Sequence, residues 1–175
     1  YLNNEFDRAF EGFNALFQKN PSNSVVSYAL GNSLLHLDRA NLANGFYRNA
    51  LNQILSRREK LGRLEMRTES DFFLLSYLAS LYNNMGVSYA YNSTIENNAQ
   101  NEREAFKNFV LASEYFDQIR TSNIDLERME KRTIILENNN IGVATYNVMA
   151  IQSKRNLKDA VIIDDYIPKD IYYVR

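Results

Sequence analysis

The sequence contains no cysteine, no tryptophan, one histidine (His36), two prolines and six glycines among 175 residues. Without cysteine there is no disulfide framework, thiolate nucleophile or thiolate metal site, and the redox compartment stays unread. A single imidazole excludes any site that needs a pair of them. So few turn-formers do not suit an all-β chain of this length. Charge of one sign is lacking too: 20 Lys+Arg stand against 21 Asp+Glu, a net charge of −1. Recruitment of nucleic acid by bulk charge is therefore not expected. No run approaches the roughly 18 apolar residues of a membrane span, and no basic-then-apolar signal peptide opens the chain. The chain begins at Tyr1 rather than at a Met, which reads as a processed product or an excised piece. No paired carboxylates, Ser/His/Asp set or Gly-rich phosphate loop stands at a usable spacing. The expectation is a binding protein without cofactor or metal, rather than an enzyme.

What the chain does have is 45% hydrophobic and 13% aromatic residues, enough to build a core. It also has 23 asparagines, which are mediocre helix formers and read either as codon bias or as part of a binding surface. Internal similarity organises the rest. Ala9, Phe13 and Leu16 are followed 34 residues later by Ala43, Tyr47 and Ala50. The i, i+4, i+7 spacing puts each triad on one helical face. A further copy is Ala105, Phe109 and Ala112. A second pattern is Leu30-Gly31-x2-Leu34, repeated as Tyr82-x2-Met85-Gly86-x2-Tyr89 and more weakly as Asn138-x2-Ile141-Gly142-x2-Thr145. The last two also share Asn-Asn-x-Gly-Val, at Asn83–Val87 and Asn139–Val143.

These residues resemble the tetratricopeptide repeat, a helix-turn-helix unit of about 34 residues. The match is closest from Phe6 to Ile54, with Pro21 closing one unit. The resemblance implies an all-α, helical-hairpin solenoid over residues 1–163 with an extended tail over 164–175. It places Gly31, Gly86 and Gly142 where paired helices cross closely, Ala9, Ala43 and Ala105 opposite them, and the aromatics in wider gaps between repeats. There are departures. Ser27, Tyr82 and Asn138 stand where the family has Trp. Gly31 to Ala43 spans the regular 12 residues, but Gly86 to Ala105 spans 19. The extra residues fall in the polar Tyr91–Asn101 stretch, which reads as a long hairpin loop. Charged stretches around Ser56–Arg67 and Arg120–Thr133 predict lengthened or additional helices.

The predicted helices are Asn4–Lys19, Ser24–Leu37 with Ser24 as N-cap, Asn41–Ile54 with an extension toward Leu64, Asp71–Tyr91, Asn101–Ile119, Asp125–Ser153 and a short Leu157–Ile163. The first is read as the second helix of a unit, so upstream repeats of the same chain are expected to cover its Phe6, Phe10, Phe13 and Phe17. Apolar residues of the tail (Tyr166, Ile167, Ile171–Val174) either cap the solenoid or dock elsewhere.

In the tetratricopeptide family the first helices line a groove that holds a peptide or partner helix. By resemblance the partner-binding residues here are Tyr28, Asn32, Asn83, Asn84, Val87, Tyr91, Asn139, Asn140, Val143 and Tyr146. The amides suit a ligand's backbone, since each both donates and accepts. The alternative is that they bond to one another or to water. Groove cations are missing, so acidic chaperone tails are not expected partners. The basic run Arg57–Arg67 interleaves with Glu59 and Glu65 and reads as a solvated helix face. Asp164, Asp165 and Asp170 fit no calcium loop. His36 reads as a surface or capping residue at a helix C-terminus, and Asn92-Ser93-Thr94 is a chance glycosylation sequon. The function expected is a protein–protein interaction scaffold in a larger assembly. A regulatory or lid domain of an enzyme, or self-assembly through the first helix, are the alternatives. The Asn-Asn-x-Gly-Val helices are similar to those of spirochaetal tetratricopeptide proteins, including periplasmic flagellar-motor collar components, which implies a bacterial periplasmic setting.

Overall fold

The computed structural model describes residues 2–61, 69–96, 98–120 and Asn147. All secondary structure among them is helical: α1 (Leu2–Lys19), α2 (Ser24–His36), α3 (Ala40–Leu61), α4 (Glu69–Glu96) and α5 (Ala99–Arg120). The chain divides into two compact units, Tyr1–Leu64 and Glu65–Arg175. The division falls inside the charged stretch that lengthens the spacing between repeats. The third Gly pattern, the helices predicted beyond 120 and the tail lie outside the described residues, except for Asn147, which is helical.

In the first unit α1 packs on α2 and α2 on α3. Helix α2 starts where Asn23, in an extended conformation, accepts hydrogen bonds on its side chain from the Val25 and Val26 amides at 3.1 and 3.2 Å. Asn23 is therefore the N-cap. Ser24, expected in that role, is the first helical residue and is buried. Helix α2 ends in a Schellman motif: the Arg39 amide donates to Leu34 O at 2.8 Å and the Asp38 amide to Leu35 O at 3.2 Å. The turn requires a left-handed residue, and Asp38 supplies it with φ 57°. Packing then follows the repeat register. Leu30, Ala43, Tyr47 and Ala50 are all 0% exposed. A Cβ on Gly31 would lie 2.9 Å from Tyr47 Cζ and closer still to two other ring carbons. The glycine is thus required by the ring.

The second unit builds the same hairpin again from α4 and α5. Ala105, Phe109 and Ala112 are 0% exposed, and a Cβ on Gly86 would lie 2.5 Å from Phe109 Cδ1. In both hairpins the aromatic ring therefore lies against its own unit's glycine. The expectation that the rings fill gaps between repeats is corrected: a missing side chain leaves a slot as wide as a ring, and the nearest ring fills it. Phe72, Leu75 and Ala79 of α4 close a core with Ala112, Phe116 and Ile119 of α5. Where the family has Trp, Tyr82 stacks on Tyr115 at 5.6 Å. In the first hairpin Ser27 donates to Asn49 Oδ1 at 3.4 Å from the corresponding place.

The long loop expected over Tyr91–Asn101 is corrected as well. Helix α4 continues to Glu96 and α5 begins at Ala99. Asn92 and Ser93 are buried. The Ser93 and Thr94 hydroxyls bond back to the Ala90 and Tyr91 carbonyls, both at 2.7 Å, so their polar groups are satisfied within the helix. Asn98 accepts from the Gln100 amide at 2.9 Å and caps α5. Residues that read as loop formers serve as caps and buried helix instead.

Candidate partner-binding face

The residues expected to line a groove meet different fates in the two units. On α2, Tyr28 and Asn32 are half-buried. The Tyr47 hydroxyl donates to Asn32 Oδ1 at 2.7 Å, and the Tyr28 ring lies 5.8 Å from that of Tyr47. Both are held by the ring that Gly31 admits, so they present fixed rather than mobile surfaces. Val25, three residues before Tyr28 on the same face, is 63% exposed. Helix α2 carries no Asp, Glu, Lys or Arg, so this face is uncharged, with an apolar start and an amide in its middle.

On α4 the expected groove residues are shut away. Asn83 and Asn84 are both 0% exposed, Val87 is buried, and only Tyr91 is partly open. Asn83 Nδ2 donates to Asn84 Oδ1 at 3.3 Å, and Asn147 Nδ2 donates to Asn83 Oδ1 at 3.0 Å. Asn147 is itself 0% exposed. The amides bond to one another, and none of the three offers surface to a ligand in this conformation. Asn139, Asn140, Val143 and Tyr146 lie outside the described residues.

Helix α1, whose apolar face the sequence already marked as needing cover, is where the structure leaves a triad open. Its triad Ala9, Phe13, Leu16 matches the two buried triads in sequence, yet Ala9 and Phe13 are only half-buried and Leu16 is 50% exposed. Two of its other phenylalanines do find partners: Phe6 stacks on His36 with ring centroids 3.9 Å apart, and Phe17 meets Phe46 edge-on at 5.4 Å. His36 is therefore an aromatic packing partner for α1, a role that its place at the helix C-terminus did not reveal. A comparison of exposure at matched repeat positions is the signal that finds the open triad, and it needs coordinates.

Among the described residues no group of three or more His, Cys, Asp or Glu is placed to hold a metal ion, and no helix is long and apolar enough to cross a membrane. The sequon at Asn92 lies inside α4 with the asparagine 4% exposed, so the folded chain gives no access to it. No family model matches the chain, and neither does any curated protein or solved structure.

Proposed function

We propose that the chain is a protein–protein interaction scaffold of tetratricopeptide type, which holds a partner segment against its first unit. The observation that carries this reading is the open triad of α1. Two sister triads in the same chain are fully buried, whereas Leu16 at the third keeps half its surface in solvent. Burying a Leu of this kind contributes about 1.5–3 kcal/mol when complete, so a half-open one retains a useful part of that for a partner. The uncharged α2 face, with Val25 exposed and Tyr28 and Asn32 held in place, extends the apolar and amide character that a peptide or helix of low charge would meet. Because the hairpin glycines lock their rings, little side-chain ordering accompanies binding.

The finer reading places this scaffold in a bacterial periplasmic assembly of the flagellar-collar kind. It rests on the Asn-Asn-x-Gly-Val motifs alone, and cell fractionation of the tagged chain tests it.

The scaffold reading is tested by quantitative affinity purification from the native extract. A partner recovered with the unaltered chain and with Lys107→Glu, but lost with Leu16→Glu combined with Val25→Glu, supports it. Equal recovery of every protein by all three overturns it.

A further inference from the structure

Of the three matched triads, two show what covers them. Tyr47 lies against Gly31 of α2, and Phe109 lies against Gly86 of α4. The polar contacts of the first hairpin run antiparallel. The Tyr47 hydroxyl donates to Asn32 Oδ1 at 2.7 Å, Ser27 Oγ to Asn49 Oδ1 at 3.4 Å and Gln53 Nε2 to the Pro21 carbonyl at 2.9 Å. Each step forward on α3 is thus a step back toward the start of α2. Phe13 is the ring of the third triad, 34 residues before Tyr47. Among the described residues Gly31 and Gly86 hold the other two rings, while Gly12 and Gly45 face open space. Phe13 is half-buried and Leu16 is 50% exposed.

We infer that α1 is the second half of a hairpin whose first half comes from another protein: an acid-capped helix, laid antiparallel to α1, that sets a glycine against Phe13. This rests on the scaffold reading and names its partner. The α3 contacts, carried back 34 residues, say what that helix must contain. A Cβ opposite Tyr47 would enter the ring, so a residue larger than glycine opposite Phe13 would hold the helix off and lose contact along the seam. Leu16 stands in the place of Ala50. Ser27, four residues before Gly31, is 0% exposed and bonds to Asn49 beside Ala50. The bulkier leucine therefore calls for alanine or glycine at that point of the partner. Phe13 lacks the hydroxyl that Tyr47 gives to Asn32, so an apolar residue follows the partner's glycine. Lys19 is exposed and stands in the place of Gln53, which reaches Pro21 just ahead of the N-cap Asn23. It puts a cation beside the positive end of the partner helix, an unfavourable placement unless a carboxylate stands between them. An aspartate cap eight residues before the glycine supplies it, and aspartate is also a good N-cap.

The test titrates the full chain into a dye-labelled peptide and reads fluorescence polarisation. The peptide has the sequence of residues 20–37 with Asn23→Asp, Ser27→Ala and Asn32→Leu, and its twin adds Gly31→Leu. The glycine peptide should bind the unaltered chain about tenfold more tightly than its twin. In Phe13→Ala this preference should fall to about threefold or less, because the ring that reads the glycine is gone. Equal binding of the two peptides, binding of neither, or an undiminished preference in Phe13→Ala overturns the inference. Should Phe13→Ala fail to fold, the two peptides on the unaltered chain decide alone. A dimer of the chain in sedimentation, returned to monomer by Leu16→Glu, also overturns it and makes a second copy the occupant. The scaffold reading is judged separately. A partner lost from the affinity purification with Leu16→Glu and Val25→Glu, together with peptides bound equally, keeps the scaffold and removes the glycine helix.

Discussion

A methyl group added to Gly12 or Gly45 meets open space, whereas one added to Gly31 or Gly86 meets an aromatic ring. The same substitution should therefore act with opposite signs. Alanine is the better helix former by about 1 kcal/mol, which Gly12→Ala should gain in full. At Gly31 that gain is outweighed, because pushing the Tyr47 ring off a packed position costs about 1–3 kcal/mol and also disturbs its hydroxyl bond to Asn32. Gly31→Ala should lose about 1–2 kcal/mol in urea denaturation; equal effects at the two glycines would refute the ring-slot account. Asp38 offers a converse case. Its left-handed backbone, φ 57°, is strained for an L-residue with a Cβ. Asp38→Gly should raise stability by about 0.5–1 kcal/mol, after allowing for the greater freedom of glycine in the unfolded chain. The denaturation midpoint checks it.

At the scale of single helices, the register of the repeat made much of the fold legible. Helices α1 to α3 lie within a few residues of where the triads and the Leu-Gly pattern place them, because apolar spacing and close-packed glycines are themselves the causes of the packing. The Tyr91–Asn101 stretch was not legible in the same way. Asparagine and serine favour loops when exposed, but here the helix buries Asn92 and Ser93 and satisfies the serine hydroxyl on its own carbonyls. The candidate site was the least legible part. An Asn at 83 or 84 looks the same in sequence whether it awaits a ligand or bonds to Asn147, 64 residues on. Likewise Leu16 looks like any triad member until its exposure is seen. One consequence at this scale concerns the sequon. When the chain is made through a eukaryotic secretory route and recovered folded, Asn92 should carry no glycan, and intact-mass measurement should show no shift after glycosidase treatment.

At the scale of the whole molecule, the two compact units each contain one copy of the glycine–ring hairpin. Disturbing one copy should loosen one unit. Hydrogen exchange should rise across α1 to α3 in Gly31→Ala, with α4 and α5 unchanged, and the reverse should hold for Gly86→Ala. Exchange that rises throughout the chain in either variant would show that the units unfold together. A partner bound to the first unit, as proposed, should add protection to α1 and α2 before it affects α4.

The second hairpin is longer than the first between its glycine and its alanine, 19 residues against 12, and the difference lies in helix rather than loop. Helix α4 runs ten residues past Gly86 where α2 runs five past Gly31, and α5 begins six residues before Ala105 where α3 begins three before Ala43, so both helices gain length. The α4–α5 arm is consequently helical almost to its tip, where Asn98 caps α5. A flexible flap of the same composition would move independently of its base. A hairpin packed along its length should move with its base, so a fluorophore placed at Asn98 should report the motion of the whole hairpin.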